Sequence, residues 1–363
     1  MDLTGRERFG SAVSGAGDVN GDGFEDVIIG APRRANLAGA ALVYSGRNGT
    51  LLHELLGEDF LDYAGVDVSS AGDVNNDGLA DLIVGSQGGY AQVFSGADGS
   101  LAYVSRRGFP IEGYGVSVDE VGDIDHDGFS DLVVGSPGGG GTGKAYVLSG
   151  RRGDLLYLLQ GDNVGEQFGA DVCGAGDLNG DGTPDILVAS PLAQAGGTTV
   201  GAARAFSVRN GGPLHNWVGS ADFEWFGRSV AGAGDLNGDG LADVAIGSPL
   251  GDSLLHLNAG RVTAHAGNDL FLEGAPVDPA LGSLFSLAVR QNIPGSPVLL
   301  SIVALNGNPV SIPIALGSFD LNWEYHLSEV LPPGLSGISL SIRACTRDYF
   351  GNLLVSSDVD LNF

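Results

Sequence analysis

The sequence is poor in cysteine and in positive charge, and it has no long apolar run. Its two cysteines, Cys173 and Cys345, lie far apart, so a disulfide is possible but not indicated, and we expect both to be small buried residues. Only 17 Lys and Arg stand against 44 Asp and Glu, and the net charge of −27 argues against nucleic acid or an anionic membrane as a partner. No stretch of about 18 apolar residues is present, which excludes a membrane-spanning helix.

The N-terminus also lacks the apolar segment of a signal peptide, since it reads Met-Asp-Leu-Thr-Gly-Arg-Glu-Arg. Either the chain is intracellular, or the sequence begins after a removed or omitted segment. The acidic loops along the chain favour the second alternative. We therefore expect a protein that is extracellular or on the cell surface, with its signal segment not present in this chain.

What the sequence has in abundance is glycine. The 62 glycines follow no Gly-X-Y period, so they indicate many tight turns and not collagen. A hydrophobic content of 43% over 363 residues is enough for real cores in one large or two ordinary domains.

A nine-residue loop near the N-terminus has the pattern of a calcium site. It places carboxylate or amide oxygens at positions 1, 3, 5 and 9 and a glycine at position 6, which permits a sharp turn. Ca²⁺ takes about six to eight oxygens, and the backbone carbonyl at position 7 is a natural further ligand. The loop is not an EF-hand, because position 12 is Ile29 and an apolar run typical of a strand follows. The predicted ligands of this first loop are Asp18, Asn20, Asp22, Phe24 and Asp26.

The same loop recurs four more times along the chain. Its first Asp advances by 55, 50, 54 and 58 residues. The predicted ligands of the later loops are Asp73, Asn75, Asp77, Leu79 and Asp81; Asp123, Asp125, Asp127, Phe129 and Asp131; Asp177, Asn179, Asp181, Thr183 and Asp185; and Asp235, Asn237, Asp239, Leu241 and Asp243. Ordinary turns do not repeat the Asp at position 9 five times, so the pattern predicts an array of structural repeats.

Two short motifs accompany each loop. An aromatic residue or Ala followed by Gly stands nine residues before the first Asp, and a Gly-Ala-Pro-like triplet follows the last Asp. The first motif is Phe9-Gly10, Ala64-Gly65, Tyr114-Gly115, Phe168-Gly169 and Phe226-Gly227. The second is Gly30-Ala31-Pro32, Gly85-Ser86-Gln87, Gly135-Ser136-Pro137, Ala189-Ser190-Pro191 and Gly247-Ser248-Pro249. Each copy supplies about four strands in roughly 55 residues, the size of one propeller blade.

Together these motifs resemble the FG-GAP repeats of the integrin α-subunit β-propeller and its bacterial relatives, over about residues 5–275. The resemblance implies that each loop binds Ca²⁺ through its side chains and one carbonyl, so five Ca²⁺ sites are expected. Propellers of this family often have seven blades, whereas five are visible here. A closed five-bladed ring, a ring that lacks upstream blades and a ring completed by another protomer therefore all stay open.

A calcium requirement also follows from the charges themselves. Four of the loops hold three Asp each and the third holds four, so an empty loop brings like charges close together. At an effective dielectric constant of ~20, two such charges ~4 Å apart repel by about 4 kcal/mol. A divalent cation reverses this sign, which couples binding to the stability of the blade.

The period stops near residue 275, and a different pattern follows. Five short alternating or apolar stretches over residues 283–363 predict a small β-sandwich. The predicted fold is therefore all-β, with an FG-GAP β-propeller of five recognisable blades at residues 1–275 and a C-terminal β-sandwich at residues 276–363.

Other motifs carry less information. Arg152-Gly153-Asp154 and the glycosylation acceptor Asn48-Gly49-Thr50 fall in the same hairpin turn of the repeat, so turn chemistry explains both, and whether Asn48 is glycosylated stays open. No Gly-x-Ser-x-Gly, His-Glu-x-x-His or phosphate loop is present, and the six histidines fall at unrelated repeat positions. Three tryptophans could stack on sugar faces, but we expect them in the core; they are Trp217, Trp225 and Trp323.

We therefore predict a calcium-stabilised adhesion or interaction platform that is not an enzyme. Its partner would be a protein or glycan ligand on the cell surface or matrix, with no nucleic acid and no membrane span, and the ligand-binding residues are unknown. A homo-oligomer or filament is possible. The alternatives are a polysaccharide-acting hydrolase or lyase and a structural subunit of an extracellular filament.

Overall fold

A computed structural model shows an all-β protein. It describes residues 7–107, 109–209, 211–236, 238, 240–251 and 260–267, and beyond them the backbone of strands between residues 271 and 362. Contacts divide the chain into two compact units, Met1–Ala266 and Gly267–Phe363. Within the described residues, helical structure is limited to two single 3₁₀ turns, Pro110–Glu112 and Gly139–Gly141.

The first unit consists of consecutive antiparallel sheets, each made by one copy of the repeat, and this confirms the predicted propeller architecture. Blade 1 contains β1 (Val13–Gly17), β2 (Asp26–Ala31), β3 (Ala40–Tyr44) and β4 (Leu51–Leu56). Blade 2 contains β5 (Val68–Gly72), β6 (Asp81–Gly85), β7 (Tyr90–Phe94) and β8 (Leu101–Arg106). Blade 3 contains β9 (Val118–Gly122), β10 (Asp131–Ser136), β11 (Lys144–Leu148) and β12 (Leu155–Gln160).

The fourth and fifth copies follow the same plan. Blade 4 contains β13 (Val172–Gly176) and β14 (Asp185–Ser190), then a small hairpin of β15 (Gln194–Ala195) and β16 (Thr198–Thr199), then β17 (Ala202–Phe206) and β18 (Pro213–Val218). The described sheet of blade 5 contains β19 (Ser229–Gly234), β20 (Asp243–Ser248) and β21 (Arg261–Ala266).

The second unit contains two antiparallel sheets. β22 (Phe271–Ala275), β23 (Leu284–Arg290) and β26 (Glu324–Val330) form one sheet. β24 (Pro297–Leu305), β25 (Asn308–Ser318), β27 (Ser339–Arg347), β28 (Leu353–Val355) and β29 (Val359–Asn362) form the other. Contacts thus place β22 with the second unit, while a domain boundary at residue 275 and a packed sandwich stay predictions.

The up-and-down order of each blade sorts its connections onto two opposite faces. The five Asp loops and the turns before the fourth strands lie on one side, which we call the Asp-loop face. The loops after the second strands and the linkers that join one blade to the next lie on the other side, which we call the linker face. A hydrogen bond from Gly46 N to Asp26 Oδ1 at 3.0 Å ties a third-to-fourth-strand turn to an Asp loop, in agreement with this sorting.

Successive blades pack through apolar faces that have one repeating composition. Each core cluster joins what we call the trailing face of one blade to the leading face of the next blade. Between blades 1 and 2, the trailing face contributes Ala16, Val19, Ile28, Ala41 and Val43, and the leading face contributes Val68, Leu82 and Val84. The cores between blades 2 and 3, 3 and 4, and 4 and 5 use the equivalent positions.

The two short motifs have a backbone role in this packing. The glycine of Phe-Gly donates its N–H to the carbonyl of the Gly-Ala-Pro-like triplet in its own blade, as from Gly65 to Gly85 at 2.8 Å. The same glycine lies against the third strand of the preceding blade, where a Cβ on Gly65 would be 2.3 Å from the carbonyl oxygen of Ala40. Its φ of +82° is a second reason that this position requires glycine. Phe-Gly is therefore a blade-to-blade contact.

The innermost strands line a cavity of about 710 Å³. Every blade contributes residues that precede or begin its first strand, such as Ala12, Asp67, Ser117, Asp171 and Ser229. The cavity opens among linker-face residues, since its lining also includes Gln167, Pro137, Pro191, Leu192 and Trp225. This arrangement around one axis is typical of a propeller.

Two further sequence predictions concern the cysteines and a membrane-spanning helix. Cys173 is buried and free, as predicted, and Cys345 lies outside the residues whose side chains are described. Among the described residues, no helix is both long and apolar enough to cross a membrane.

Candidate metal centres and binding face

The first Asp of each loop organises the backbone of the turn. Asp18 accepts hydrogen bonds from Gly21 N at 2.8 Å and Asp22 N at 3.1 Å through Oδ1, and from Gly23 N at 2.8 Å through Oδ2. The Gly23 N–H, helped by the other two, lowers the pKa of the Asp18 carboxyl. Position 6 requires a glycine in every loop, since its φ lies between +83° and +90°. The loop is thus held ready by its own amides.

The Asp at position 9 is a buried anchor. Asp131 is fully buried and accepts N–H donors from Ile124 at 2.9 Å and from Gly150, in the turn before β12, at 3.0 Å. Asp26 and Asp81 accept both of the equivalent hydrogen bonds, and Asp185 accepts the one from its own loop. Burial raises the pKa of Asp81 to about 6, of Asp131 to about 6 and of Asp185 to about 8, against the opposing effect of these amides.

The third loop gathers three carboxylates into one cluster. Asp123, Asp125 and Asp131 bring one oxygen each within 4.8 Å of one another. The other fully described loops carry Asn at position 3, and its Nδ2 donates to the position-9 carboxylate. These bonds are Asn20 to Asp26 at 3.2 Å, Asn75 to Asp81 at 3.0 Å and Asn179 to Asp185 at 3.1 Å. Positions 1, 3 and 9 of the third loop therefore have the oxygen donors that a hard cation such as Ca²⁺ takes.

The remaining predicted ligands are less convergent. Asp127 at position 5 is not part of the three-carboxylate group, and its Oδ1 accepts the N–H of Phe129 at 3.1 Å. Asp22, Asp77 and Asp181 bind the amide at position 7 in the same way. The role of the position-7 backbone carbonyl as a cation ligand stays a prediction.

In the fifth loop, Asn237 and Asp239 lie outside the described residues, and Asp235 and Asp243 lie inside them.

Neighbouring loops are joined through their backbones. The N–H at position 8 donates to the carbonyl at position 1 of the preceding loop, in the pairs Ala80 to Asp18 at 3.3 Å, Ser130 to Asp73 at 3.2 Å and Ala242 to Asp177 at 2.9 Å. Pro184 occupies position 8 of the fourth loop and has no N–H to give. On the Asp-loop face these bonds therefore join the first three loops to one another and the fourth loop to the fifth, with an interruption at Pro184.

Partly buried carboxylates near the cavity were not predicted from the sequence. Asp171 accepts Ser117 Oγ at 3.0 Å and Val230 N at 2.8 Å, which connects three consecutive blades. Asp67 accepts Val118 N at 2.9 Å, and burial raises its pKa to about 7. In the sequence, Asp and Ser alternate just before the first strands of successive blades, and this alternation could have indicated the carboxylates.

A second feature that the sequence did not reveal is an apolar rim on the linker face. Large apolar side chains in four consecutive linkers are exposed instead of packed; we call them the linker-face apolar cluster. They are Phe60, Leu61, Phe109, Ile111, Val164, Phe223 and Trp225. Leu61, Phe223 and Trp225 also have φ values of 72°, 56° and 55°, a region that side chains of this kind rarely adopt. Strained, exposed apolar loop residues are a feature of binding sites.

The tryptophans separate into two kinds. Trp217 packs in the core between blades 4 and 5, as predicted. Trp225 is 39% exposed and lines the cavity, so its prediction as a core residue is wrong. Trp225 lies in a linker, one residue before Phe226 of the Phe-Gly motif. The preceding blade covers Phe226 but leaves the side chain of Trp225 exposed. Trp323 lies outside the described residues.

Comparison with known families identifies the repeat. A family model described as an FG-GAP repeat matches residues 9–44, 168–204 and 226–265, and one described as an FG-GAP-like repeat matches residues 73–134. The propeller is built from FG-GAP repeats. The matches begin at or near a Phe-Gly motif or at an Asp loop, as the blade geometry requires.

Curated relatives of the FG-GAP propeller include several integrin α chains. Integrin alpha-4 of Xenopus laevis is 30% identical over 187 residues, which is 49% of this chain and 17% of that protein. Integrin alpha-2 of Mus musculus is 36% identical over 94 residues, 23% of this chain and 8% of that protein. Integrin alpha-M of Mus musculus is 42% identical over 89 residues, 22% of this chain and 8% of that protein. The chain thus spans under a fifth of these relatives, and the similarity supports an integrin-like propeller of the adhesion or interaction class.

Proposed function

We propose that this FG-GAP propeller is a calcium-stabilised platform at the cell surface or in the extracellular matrix, which binds a protein ligand through its linker face. The observation that carries the proposal is the linker-face apolar cluster, of which Trp225 also lines the cavity. Ile111 is 93% exposed and Phe223 is 61% exposed. Both residues lie in linkers that the blades hold in fixed positions. Large apolar and aromatic anchors on a rigid scaffold are the usual centre of a protein interface.

Acidic residues behind this rim are held by the fold and are not available to a ligand. Glu166 and Glu224 are almost fully buried, and they pair with Arg204 at 3.0 Å and Arg261 at 2.7 Å. Each also accepts N–H donors from the start of its own linker, as Glu166 does from Asp162 N at 2.8 Å. These buried pairs fix the linkers, so the apolar side chains at their tips are presented without a large ordering cost.

Calcium would be held on the opposite face by the side chains at loop positions 1, 3, 5 and 9, with the third loop the best formed. When bound, the cation supplies a positive centre that neutralises the clustered carboxylates and crosslinks each turn. The loops lack a tuned twelfth ligand, which suits the high calcium concentration outside cells. The resemblance to integrin α chains supports the same location.

Binding can be tested with a triple variant of the rim. Ile111→Asn, Phe223→Asn and Trp225→Asn together remove three anchors, and Asn tolerates the positive φ of the last two positions. We expect at least a tenfold loss of binding, by surface plasmon resonance, to whichever purified matrix protein the wild-type chain binds in a panel. A control variant with Leu51→Asn, Leu101→Asn and Leu155→Asn removes three exposed apolar residues from the outer strands and should bind normally. Equal loss in both variants, or no binding by the wild type, contradicts the proposal.

An enzyme remains the rival class, because Asp67 and Asp171 both line the cavity and both have a raised pKa. Their hydrogen bonds to amides and hydroxyls of neighbouring blades favour a structural role. We propose that the chain binds without turnover. Polysaccharide cleavage that disappears in Asp67→Asn or Asp171→Asn would instead support a hydrolase or lyase, and a glycan array would show whether sugars are bound without cleavage.

A further inference from the structure

Three of the Asp loops contain an Asn-Gly pair at positions 3 and 4. Two of these pairs are fully described, Asn20-Gly21 in the first loop and Asn179-Gly180 in the fourth, while Asn237 of the fifth loop lies outside the described residues. In an Asn-Gly pair, the backbone nitrogen of the glycine can attack the side-chain amide carbon of the asparagine, because glycine has no side chain that hinders the approach. Whether a pair reacts depends on how the folded loop holds these two groups.

The reaction turns the asparagine into an acid. A bond forms between the glycine nitrogen and Cγ of the asparagine, and the bond from Cγ to Nδ2 breaks. The proton of the glycine N–H leaves with the side-chain nitrogen as ammonia, and a five-membered succinimide ring remains. Water then opens this ring at either carbonyl carbon, which yields aspartate or isoaspartate. Water is therefore the only reactant that the chain does not supply.

In the folded loops, a carboxylate holds the attacking nitrogen. Gly21 N donates to Asp18 Oδ1 at 2.8 Å, and Gly180 N donates to Asp177 Oδ1 at 2.7 Å. Attack requires this nitrogen to give up its proton, and the anion so formed would lie beside the negative carboxylate. The hydrogen bond and the charge therefore both oppose the first step of the reaction.

The asparagine side chain is also held at both of its polar atoms. Asn20 Oδ1 accepts Asp22 N at 3.0 Å, and its Nδ2 donates to Asp26 Oδ2 at 3.2 Å. The asparagine of the fourth loop makes the same two bonds, with Asp181 N at 3.0 Å and Asp185 Oδ2 at 3.1 Å. Ring closure moves Cγ toward the glycine nitrogen and expels Nδ2, so these bonds oppose the reaction as well.

A further pair, Asn48-Gly49, is held less firmly. It lies in the exposed turn before β4, where Gly49 N donates to the backbone carbonyl of Ser45 at 2.7 Å. Asn48 Oδ1 accepts Thr50 N at 2.9 Å. The pairs therefore differ in the acceptor of the glycine N–H, which is a carboxylate in the two Asp loops and a neutral peptide carbonyl in this turn.

We propose that Asn20 and Asn179 are latent deamidation sites, which the first Asp of each loop blocks while the loop is closed. Opening of a loop releases both the glycine N–H and the asparagine amide, and the product changes the loop permanently. Isoaspartate adds one methylene to the main chain between positions 3 and 4, which breaks the spacing of the loop. Aspartate keeps the spacing and gives position 3 the carboxylate that Asp125 has in the third loop.

One consequence rests on the proposed function. A calcium ion that crosslinks the closed loop keeps the asparagine blocked, and its removal lets the site react. A period without calcium then leaves a permanent chemical change in the first and fourth loops.

Peptide mapping of the full chain by mass spectrometry, after incubation at neutral pH, tests the proposal. The readout is the gain in mass when an amide becomes a carboxyl group. In Asp18→Ala we expect Asn20 to deamidate about tenfold faster than in the wild type, because a hydrogen bond to a charged group is lost. Asn179 should keep its wild-type rate. Asp177→Ala should do the reverse and accelerate only Asn179.

Asp73→Ala is the matched control. Asp73 has the same place in the second loop, but Asn75 there precedes an asparagine and not a glycine. This variant removes the same carboxylate from one loop and should accelerate neither Asn20 nor Asn179. Asn48 should react at one rate in the wild type and in all three variants.

The outcomes for the loops and for calcium are separate. Equal rates at Asn20 in the wild type and in Asp18→Ala overturn the proposal, and so does equal acceleration by Asp73→Ala, which would assign the reaction to unfolding of the whole propeller. In the wild type, EDTA should accelerate Asn20 and Asn179 but not Asn48. If EDTA has no effect while Asp18→Ala reacts faster, the block by the Asp stands and the calcium role in the proposed function fails.

Discussion

The Asp-loop face and the linker face are built by the same five repeats, but they constrain the sequence differently. On the Asp-loop face, side chains bind the backbone of their own turn, as Asp18 binds Gly23 N, so the residue types recur in each copy. On the linker face, the linkers share the acidic residue two positions before Phe-Gly and little else, and their tips carry unlike apolar residues. The difference teaches that the Asp loops recur because each binds its own backbone, whereas the linker tips carry no such constraint and differ from blade to blade.

Removal of calcium should have the largest effect, and only through the Asp-loop face. A site filled at 100 times its Kd contributes about 2.7 kcal/mol, so the loss of several sites exceeds any single substitution. Calorimetry with and without EDTA should show a large fall in Tm, and a calcium titration should show binding. The linker-face triple variant should show the same fall. An unchanged Tm together with no calcium binding would refute the role of the loops.

A buried Asp and an exposed Asp should differ sharply. Asp131→Ala leaves the N–H groups of Ile124 and Gly150 without their acceptor, at about 1–3 kcal/mol each, so we expect about 2–6 kcal/mol of destabilisation in urea unfolding. Asp162→Ala on the linker face removes an exposed carboxylate that pairs with Arg204 at 3.1 Å, and should cost about 0–1 kcal/mol. Equal costs would remove the distinction between the two faces.

The pH dependence should come from the linker-face end of the cavity when calcium is present. Burial raises the folded-state pKa of Asp67 from 3.8 to about 7. Its contribution to stability is therefore fully present below its ordinary pKa and is lost as the pH rises through about 7, with a slope of at most ~1.4 kcal/mol per pH unit. Melting from about pH 5 to about pH 8 should show this decline, and Asp67→Asn should flatten it. A slope that is unchanged in this variant would assign the decline to other groups.

The smallest effect is expected at position 4 of the third loop. His126 has a φ of 61°, where the first and fourth loops have Gly21 and Gly180. His126→Gly relieves this strain and should stabilise the protein by up to about 1 kcal/mol, less the entropy that glycine adds to the unfolded chain. Chemical unfolding measures the change. Destabilisation beyond about 1 kcal/mol would show that the His126 side chain makes a contact that the loop pattern does not require.

The Asp loops could be predicted from sequence because nearly all of their interactions are local. Asp18 binds amides three to five residues away, and Asp26 binds Val19 N seven residues away, so the spacing alone carries the geometry. The strands follow for the same reason, since each loop and turn bounds a short apolar run. The propeller architecture then follows from the repetition of that unit.

The features that could not be predicted from the sequence depend on residues in a neighbouring blade, and the sequence of a single repeat does not encode such contacts. Asp67 is tied to Val118 fifty-one residues later, and the exposure of Trp225 depends on how the preceding blade covers Phe226. The exposure of Val13 and Val262 is also not visible in the sequence, because both have the same apolar character as their buried equivalents.

The glycine of the Phe-Gly motif has a consequence for how such a chain grows in evolution. Its close approach is made to a main-chain oxygen, such as that of Ala40, which every residue type possesses. A duplicated segment that encodes one blade therefore produces a blade that fits its new neighbour at once, with no compensating side-chain change. Blade number can then change by copying of a gene segment, while the linker tips diverge separately.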